Sequence, residues 1–323
     1  MKAETLCYLY ENQGKIVSGE EISRSLNISR TAVWKHIGRL RDEGYPIESI
    51  PQKGYKLVVE PSSIFPCVLE KKFGKPVFYF QSIGSTNGYL KENLPLHKDG
   101  TIVISDEQTK GRGRMGRDWY SPKGKGLFLS LLLKPSLQID EIFAMTSVVA
   151  VSIYRIMKKN YDVPVKIKWP NDLVVEGKKI AGILTEISGE LDGVNNLIVG
   201  MGVNLHNEFF HKEIQHQATS LYLEKNLKVS RHEFSEALLE EFFKNYDTFL
   251  ERRNIDFLLD DLCKASSVLG KEIDVIEGSR RSPATALEIT REGFLKVRYE
   301  EGIVELLRSG EISIRESMQE LNK

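Results

Sequence analysis

Two apolar stretches, Thr101-Ile102-Val103-Ile104 and Leu127 to Leu133, enclose the segment Gln108-Thr109-Lys110-Gly111-Arg112-Gly113-Arg114-Met115-Gly116-Arg117-Asp118-Trp119. The first stretch is β-branched throughout and the second is leucine-rich, so both read as strands. Glycine–arginine runs also occur in disordered RNA-binding tails. This one lies between two strands, and is therefore a loop of a folded domain. Its three glycines let backbone amides approach an anion closely. Its three arginines can fork onto phosphate or carboxylate. A sheet in which a connecting loop can provide an anion site is therefore expected.

The rest of the chain divides by texture. Residues 1–60 show short helical patterns and one hairpin, and Pro61-Ser62-Ser63-Ile64-Phe65-Pro66 reads as a linker that opposes regular structure. Residues 67–269 alternate strand-like runs with longer helical patterns, Ile142 to Met157 and Glu233 to Leu250 among them. Residues 270–323 hold short strand candidates, Glu272–Ile276, Ala284–Thr290, Phe294–Tyr299 and Ile303–Leu307, joined in part by charged glycine turns. No internal repeat or low-complexity segment interrupts them. The expected class is α+β multidomain, with a mixed α/β central domain and a small C-terminal β-barrel.

Lysine plus arginine equals aspartate plus glutamate, 45 each, so any nucleic-acid surface must come from local asymmetry. The three cysteines, Cys7, Cys67 and Cys263, lie far apart and lack metal-ligand spacing. They suit a reducing compartment, with buried thiols acting as small hydrophobes. The N-terminal stretch lacks the sustained apolar core of a secretion signal, and no apolar run could span a bilayer. A cytoplasmic protein is expected. His206, His211 and His216 form no metal signature and read as ordinary surface residues.

In the N-terminal region Ser18-Gly19-Glu20-Glu21 has capping-box form and opens a helix to Leu26. Asn27-Ile28 makes a turn, Ser29 caps a second helix to about Glu43, and Gly44 ends it. Val33, Ile37 and Leu40 form its apolar stripe, with Trp34 beside them read as core. A hairpin follows, with strands near Ile47–Ser49 and Tyr55–Val59. Two helices and a hairpin resemble a winged helix-turn-helix, whose second helix enters the DNA major groove. From Ile28 to Lys56 there are six basic and three acidic residues, which favours DNA over a protein-interaction module. Ser29, Arg30, Thr31, Lys35 and Lys53 are the candidate contacts.

Four further motifs accompany the loop: Ser85-Thr86-Asn87, Val165 to Leu173 (VKIKWPNDL), Lys179 to Glu186 (KIAGILTE) and Gly200 to Leu205 (GMGVNL). In this order and spacing they resemble the biotin–protein ligase family. With the winged helix ahead, the chain resembles its bifunctional members, which also repress biotin-synthesis genes. The resemblance runs to Gly310-Glu311-Ile312-Ser313-Ile314-Arg315, and Met115 stands where some members carry a basic residue.

The resemblance implies two steps. Biotin and Mg²⁺-bound ATP form biotinoyl-5′-adenylate, and biotin then passes to a lysine of a biotin carboxyl carrier protein. It implies a C-terminal domain of SH3-like form. It also assigns roles: Lys179, Arg114 and Arg112 to catalysis; Ser85, Thr86, Asn87, Gln108, Gly111, Arg112, Gly113, Arg114 and Lys179 to biotin. Arg114, Arg117, Trp119, Lys168, Asp172, Asn204 and Arg315 fall to ATP and the adenylate, Asp172 fixing a lysine or assisting a metal. No protein ligand is named for Mg²⁺, which phosphates and water largely hold. Operator DNA and a second copy of the chain, recruited when adenylate is bound, complete the expected partners. A lipoate–protein ligase and a ligand sensor that has lost catalysis are the competing readings. Against the first stand the glycine–arginine loop and the Lys168–Asp172 motif, and against the second Arg112, Arg114 and Lys179.

Overall fold

The computed structural model describes residues 1–188, 196–308 and 310–314. At the N-terminus α1 (Lys2–Glu11), α2 (Gly19–Leu26) and α3 (Arg30–Asp42) pack on the hairpin of β1 (Ile47–Ile50) and β2 (Gly54–Leu57). Sequence chemistry sets the helix starts. Ser18 and Glu21 make a reciprocal capping box, and Ser29 Oγ accepts from Ala32 N at 3.1 Å. Gly44 takes φ +90°, the left-handed value expected of it. Val33, Ile37 and Leu40 lie in the core with Leu6, Leu9 and Ile22. Trp34 does not: it is 66% exposed. Position 34 lies one residue, about 100°, round the helix from Val33, outside a stripe that these three residues already fill.

The 61–66 segment is a packed junction rather than a free linker. Pro66 opens α4 (Pro66–Phe73), where its missing amide costs nothing. Ile64 and Phe65 are buried, Phe65 within the winged-helix core itself. Arg231, fully buried, holds the segment: its amide donates to Pro61 O at 2.8 Å and its guanidinium to Ser62 O at 2.8 Å. The same guanidinium reaches Asp106 at 2.6 Å and Ser105 O at 3.3 Å. His232, stacked edge-on against Tyr10 and Phe65, accepts from Phe65 N at 3.3 Å. Burial pushes the His232 pKa down to about 4. Cys7 and Cys67, distant in sequence, come close together where α1 packs on α4.

The central domain runs β3 (Val77–Phe80), α5 (Thr86–Glu92), β4 (Thr101–Ser105), β5 (Gly126–Leu133), α6 (Ile139–Tyr161), β6 (Lys166–Lys168), β7 (Asp172–Val175), β8 (Lys178–Ser188) and β9 (Asn196–Asn204). The helices α7 (Leu221–Lys225), α8 (Arg231–Arg252) and α9 (Leu259–Ala265) follow. The seven strands form one mixed sheet in the order β3-β4-β5-β9-β8-β7-β6, with β3–β4 parallel and the other pairs antiparallel. The helices α6 and α8 cover one face over the main core. The short α5 covers part of the other, over Leu90, Val103, Leu132 and Ile198.

The C-terminal strands β10 (Glu272–Glu277), β11 (Arg280–Ile289), β12 (Leu295–Tyr299), β13 (Val304–Leu307) and β14 (Glu311–Ile314) pair antiparallel in the order β13-β12-β11-β10-β14. Among the described residues this sheet is open, with β13 and β14 at its edges; the expected closed barrel is not formed. Its apolar face, including Ile273, Val275, Leu295 and Val297, joins the main core. The Trp169 indole donates to Gly293 O at 3.0 Å, tying the sheet to the β6–β7 turn. Among the described residues, no helix is long and apolar enough to cross a membrane.

Candidate active site

Strand parity creates the site. Along β5 the odd residues Leu127, Leu129, Leu131 and Leu133 enter the main core, so the even ones face α5. The ladder carries this parity sideways: Ser130 lies opposite Gly200, and Gly200 opposite Leu184. In the next row Phe128 faces Gly202, and Gly202 faces Gly182. Three glycines thus remove side chains from the middle of this face and leave a trough. Its occupants lie against bare backbone. A Cβ on Gly200 would sit 2.4 Å from Asn87 Oδ1, and one on Gly202 2.5 Å from the Trp119 ring. Gly200 and Gly202, of the Gly200–Leu205 motif, lie within β9.

A β-bulge delivers Lys179 to the trough. β7 pairs Leu173 with Ala181 but Val174 with Lys179, passing over Ile180. Ile180 and Ala181 both enter the main core, and Lys179 emerges on the side of Gly182. Its ammonium lies 2.6 Å from Asp172 Oδ1 and 5.1 Å from the Trp119 ring centroid. Asp172 therefore holds a lysine, one of its two expected roles. Trp119 lies across Gly202, with its Nε1 buried and unpartnered among the described residues.

At the far end of the trough Ser85 caps α5, accepting from Gly88 N at 3.3 Å. Backbone pairing of 83–84 with 107–110 sets Gln108 beside it: Thr109 N donates to Ile83 O at 2.9 Å and Lys110 N to Gly84 O at 2.7 Å. Gln108 Oε1 accepts from Thr86 N at 2.9 Å and Thr86 Oγ1 at 3.1 Å, while its amide donates to Ser121 Oγ at 3.1 Å. Ser130 Oγ lies 2.6 Å from both Thr86 Oγ1 and Asn87 Oδ1. Asn87 Nδ2 donates to Glu186 Oε2 at 2.8 Å. Thr86, Asn87, Ser121 and Ser130 are buried but paired, which fixes their directions.

The glycine–arginine loop folds on itself above. Gly113 N donates to Arg117 O at 2.7 Å, and Trp119 N to Gly111 O at 2.9 Å. Met115 and Gly116 take left-handed φ values of 55° and 73° at its tip. Arg114 donates to Asn171 Oδ1 at 3.0 Å and to Gly310 O at 3.1 Å, fastening the loop to the β6–β7 turn and the entry to β14.

A cavity lies over the trough, bordered by Ser85, Thr86, Asn87, Gln108, Arg112, Gly113, Arg114 and Lys179. Gly111 does not border it; it is buried behind the loop, where a Cβ would lie 2.6 Å from Trp119 O. An adjoining, larger cleft shares Arg114, Trp119 and Lys179 and is bordered by Arg117, Lys168, Asp172 and Asn204. Asn204 is buried, donating to Thr219 O at 3.0 Å. Arg315 lies outside the described residues.

Sequence reasoning assigned no role to Ser130 or Asn171. Ser130 had a signal: it is the lone hydroxyl in the apolar run Leu127–Leu133. Of the three histidines read as surface residues, His211 and His216 are exposed. His206 is buried, its Nε2 lying 2.8 Å from Val229 O, and burial lowers its pKa.

On the winged helix Arg30, Thr31 and Lys35 are exposed along α3, and Lys53 is exposed in the hairpin turn. Ser29 is exposed with its oxygen lone pair engaged in the cap. Arg41 instead braces the hairpin, donating to Ile47 O and to Ser49 Oγ at 2.7 Å each.

Residues 77–204 match the biotin/lipoate A/B protein ligase family, and residues 3–56 match an HTH domain. The bifunctional ligase/repressor BirA of Bacillus subtilis is 35% identical over 257 residues, which span 76% of this chain and 78% of that protein. BirA of Escherichia coli is 29% identical over 304 residues, 94% of each chain. Among solved structures, a biotin protein ligase from Aquifex aeolicus in complex with biotin and ATP is similar, with a TM-score of 0.65 and 30% identity. It covers 75% of this chain and all of that one.

Proposed function

Since this chain belongs to the family of bifunctional biotin–protein ligases and repressors, we propose that it activates biotin with ATP at the glycine trough and passes it to a carrier-protein lysine. The observation that carries the reading is the meeting of the two clefts at Lys179 and Arg114. Biotin occupies the smaller cavity, its ureido ring toward Ser85, Thr86, Asn87 and Gln108, whose donors and acceptors match a carbonyl and two N–H groups. Its carboxylate then points to the shared wall. ATP occupies the larger cleft, with Arg117, Lys168, Asp172, Asn204 and Trp119 around it and Arg315 beside them by family likeness. Mg²⁺ bound with the nucleotide would be held largely by phosphate and water, with Asp172 the nearby carboxylate able to assist it.

In the first step a biotin carboxylate oxygen bonds to the α-phosphorus and the bond to the bridging oxygen of pyrophosphate breaks. Lys179, Arg112 and Arg114 offset the charge that builds on phosphate. The loop over the site keeps water from the mixed anhydride. In the second, the carrier lysine's neutral amine bonds to the acyl carbon, AMP leaves with the bonding pair, and the amine proton goes to solvent. The small C-terminal sheet completes an SH3-like unit in this reading, and the division at 1–60, 67–269 and 270–323 separates DNA binding from ligation.

The N-terminal domain binds operator DNA through Ser29, Arg30, Thr31, Lys35 and Lys53. Ser29 contributes its hydroxyl proton, since its lone pair serves the cap. The adenylate acts as corepressor by favouring a homodimer that presents two winged helices. Ligation in the cytoplasm completes the reading. The test is an assay with ATP and a biotin carboxyl carrier domain, run with biotin or with lipoate. Biotin-dependent pyrophosphate release and transfer are expected; lipoate transfer with no biotin transfer would refute the substrate, and no turnover with either would refute catalysis.

A further inference from the structure

The outward face of α3 carries Thr31, Trp34, Lys35 and Gly38, spaced as i, i+3, i+4 and i+7 on one side of the helix. Its opposite face, Val33, Ile37 and Leu40, is committed to the core. Trp34 is 66% exposed, whereas Trp169 is 4% exposed and Trp119 packs in the cleft. One turn beyond Trp34, a Cβ on Gly38 would meet nothing within 4 Å, so a surface can approach the indole closely along the helix. Around this single large apolar group stand exposed cations, Arg30, Lys35 and Arg39.

A partner for this face must offer anions at its margin and an isolated apolar group at its centre. A membrane surface does not fit, because one indole is no apolar face and the rest of the helix's apolar stripe is buried. Duplex DNA does fit. Phosphates meet the cations, and the thymine C5-methyl is the apolar feature of the major groove. We propose that Trp34 reads sequence, packing its indole against a thymine methyl in each half-site. The inference rests on the DNA-binding reading above and adds the base identity and the residue that senses it.

The test uses the full chain with biotin and ATP, and the duplex that the wild-type protein enriches from a random-sequence library. Each thymine in that duplex is replaced in turn by deoxyuridine, which removes only the methyl. One thymine per half-site is expected to cost wild type about 5-fold in affinity, the scale of one lost methyl contact. Trp34→Ala is expected to bind the enriched duplex about 10-fold more weakly and to ignore the loss of that methyl, a single apolar base contact lying in this range. Its affinity for an alternating dG·dC duplex and its biotin ligation should match wild type. Equal affinity of Trp34→Ala and wild type for the enriched duplex overturns the inference and leaves DNA binding standing. So does an equal response of both proteins to every deoxyuridine. If wild type enriches no duplex, the inference and the DNA-binding reading fall together.

Discussion

Lys179 owes its place to its neighbour Ile180, the residue that the β7 ladder skips, since without the bulge an odd-numbered side chain of β8 would enter the core. Lys179→Ala and Arg114→Ala are each expected to slow adenylate formation about 10²-fold, the cost of one transition-state donor. Pyrophosphate release at the wild-type rate in both would remove these residues from catalysis. Gly200→Ala is expected to raise the biotin Kd about 10-fold, within the overpacking range, because its Cβ would collide with Asn87. Asn87→Ala added to that variant should return no affinity, having removed a ligand contact as well; isothermal titration distinguishes the two. Motif residues such as Ser85, Gln108, Arg114 and Lys179 were legible because they stand in recognisable runs. Ser130 and Asn171 were not, because their importance comes from register and from a turn that brings 171 to 114.

Local chemistry fixed the elements well where it acts over a few residues. The capping box at Ser18, the Ser29 cap and the left-handed Gly44 appear where the sequence placed them. It failed where tertiary packing decides. Pro-Ser-Ser-Ile-Phe-Pro reads as a linker, yet Phe65 fills the winged-helix core, and nothing within that segment announces Arg231 and His232, which are more than 160 residues away. The short C-terminal strands before β14 were legible, but the closure of a sheet depends on pairing between its two edge strands, here β13 and β14, which periodicity does not encode. The junction also carries a pH signature. His232 is held neutral by burial, with a pKa near 4 against 6.5 for the free residue. The unfolded chain therefore takes up a proton first as pH falls. This contribution is complete above about pH 6.5 and is lost between there and pH 4, amounting to about 3 kcal/mol. His232→Leu should flatten the pH dependence of the urea midpoint over that interval relative to wild type. An unchanged slope would show that His232 does not titrate in this way.

For the whole molecule, sequence texture indicated several domains, but not how tightly they join. A chain beginning at Phe65 retains the motifs, yet it would expose Phe65, Cys67 and Val68, which pack against the winged-helix core. It is expected to ligate biotin with a lower Tm than the full chain and to bind no operator. Coupling between the two activities requires the adenylate to bind dimer more tightly than monomer, because equal affinity shifts nothing. Biotin plus ATP should therefore raise both the dimer fraction in sedimentation and the operator affinity, and added carrier protein should reverse both. Mass and operator affinity that ignore biotin and ATP would refute the switch while leaving ligation intact.

The Arg231 guanidinium grips Ser62 O on one side and Asp106 on the other, and Asp106 stands two residues from Gln108. In the dimer proposed above, these contacts would restrain each reading head from swivelling to find its half-site. The separation and phase of the two recognition helices would then become properties of the catalytic bodies that carry them. The protein would measure distance along DNA as a fixed caliper does. An operator lengthened by half a helical turn should lose dimer binding almost entirely, and one lengthened by a full turn should regain little. Loosening the grip with Arg231→Met should widen the range of tolerated spacings before it weakens the contacts to any single half-site.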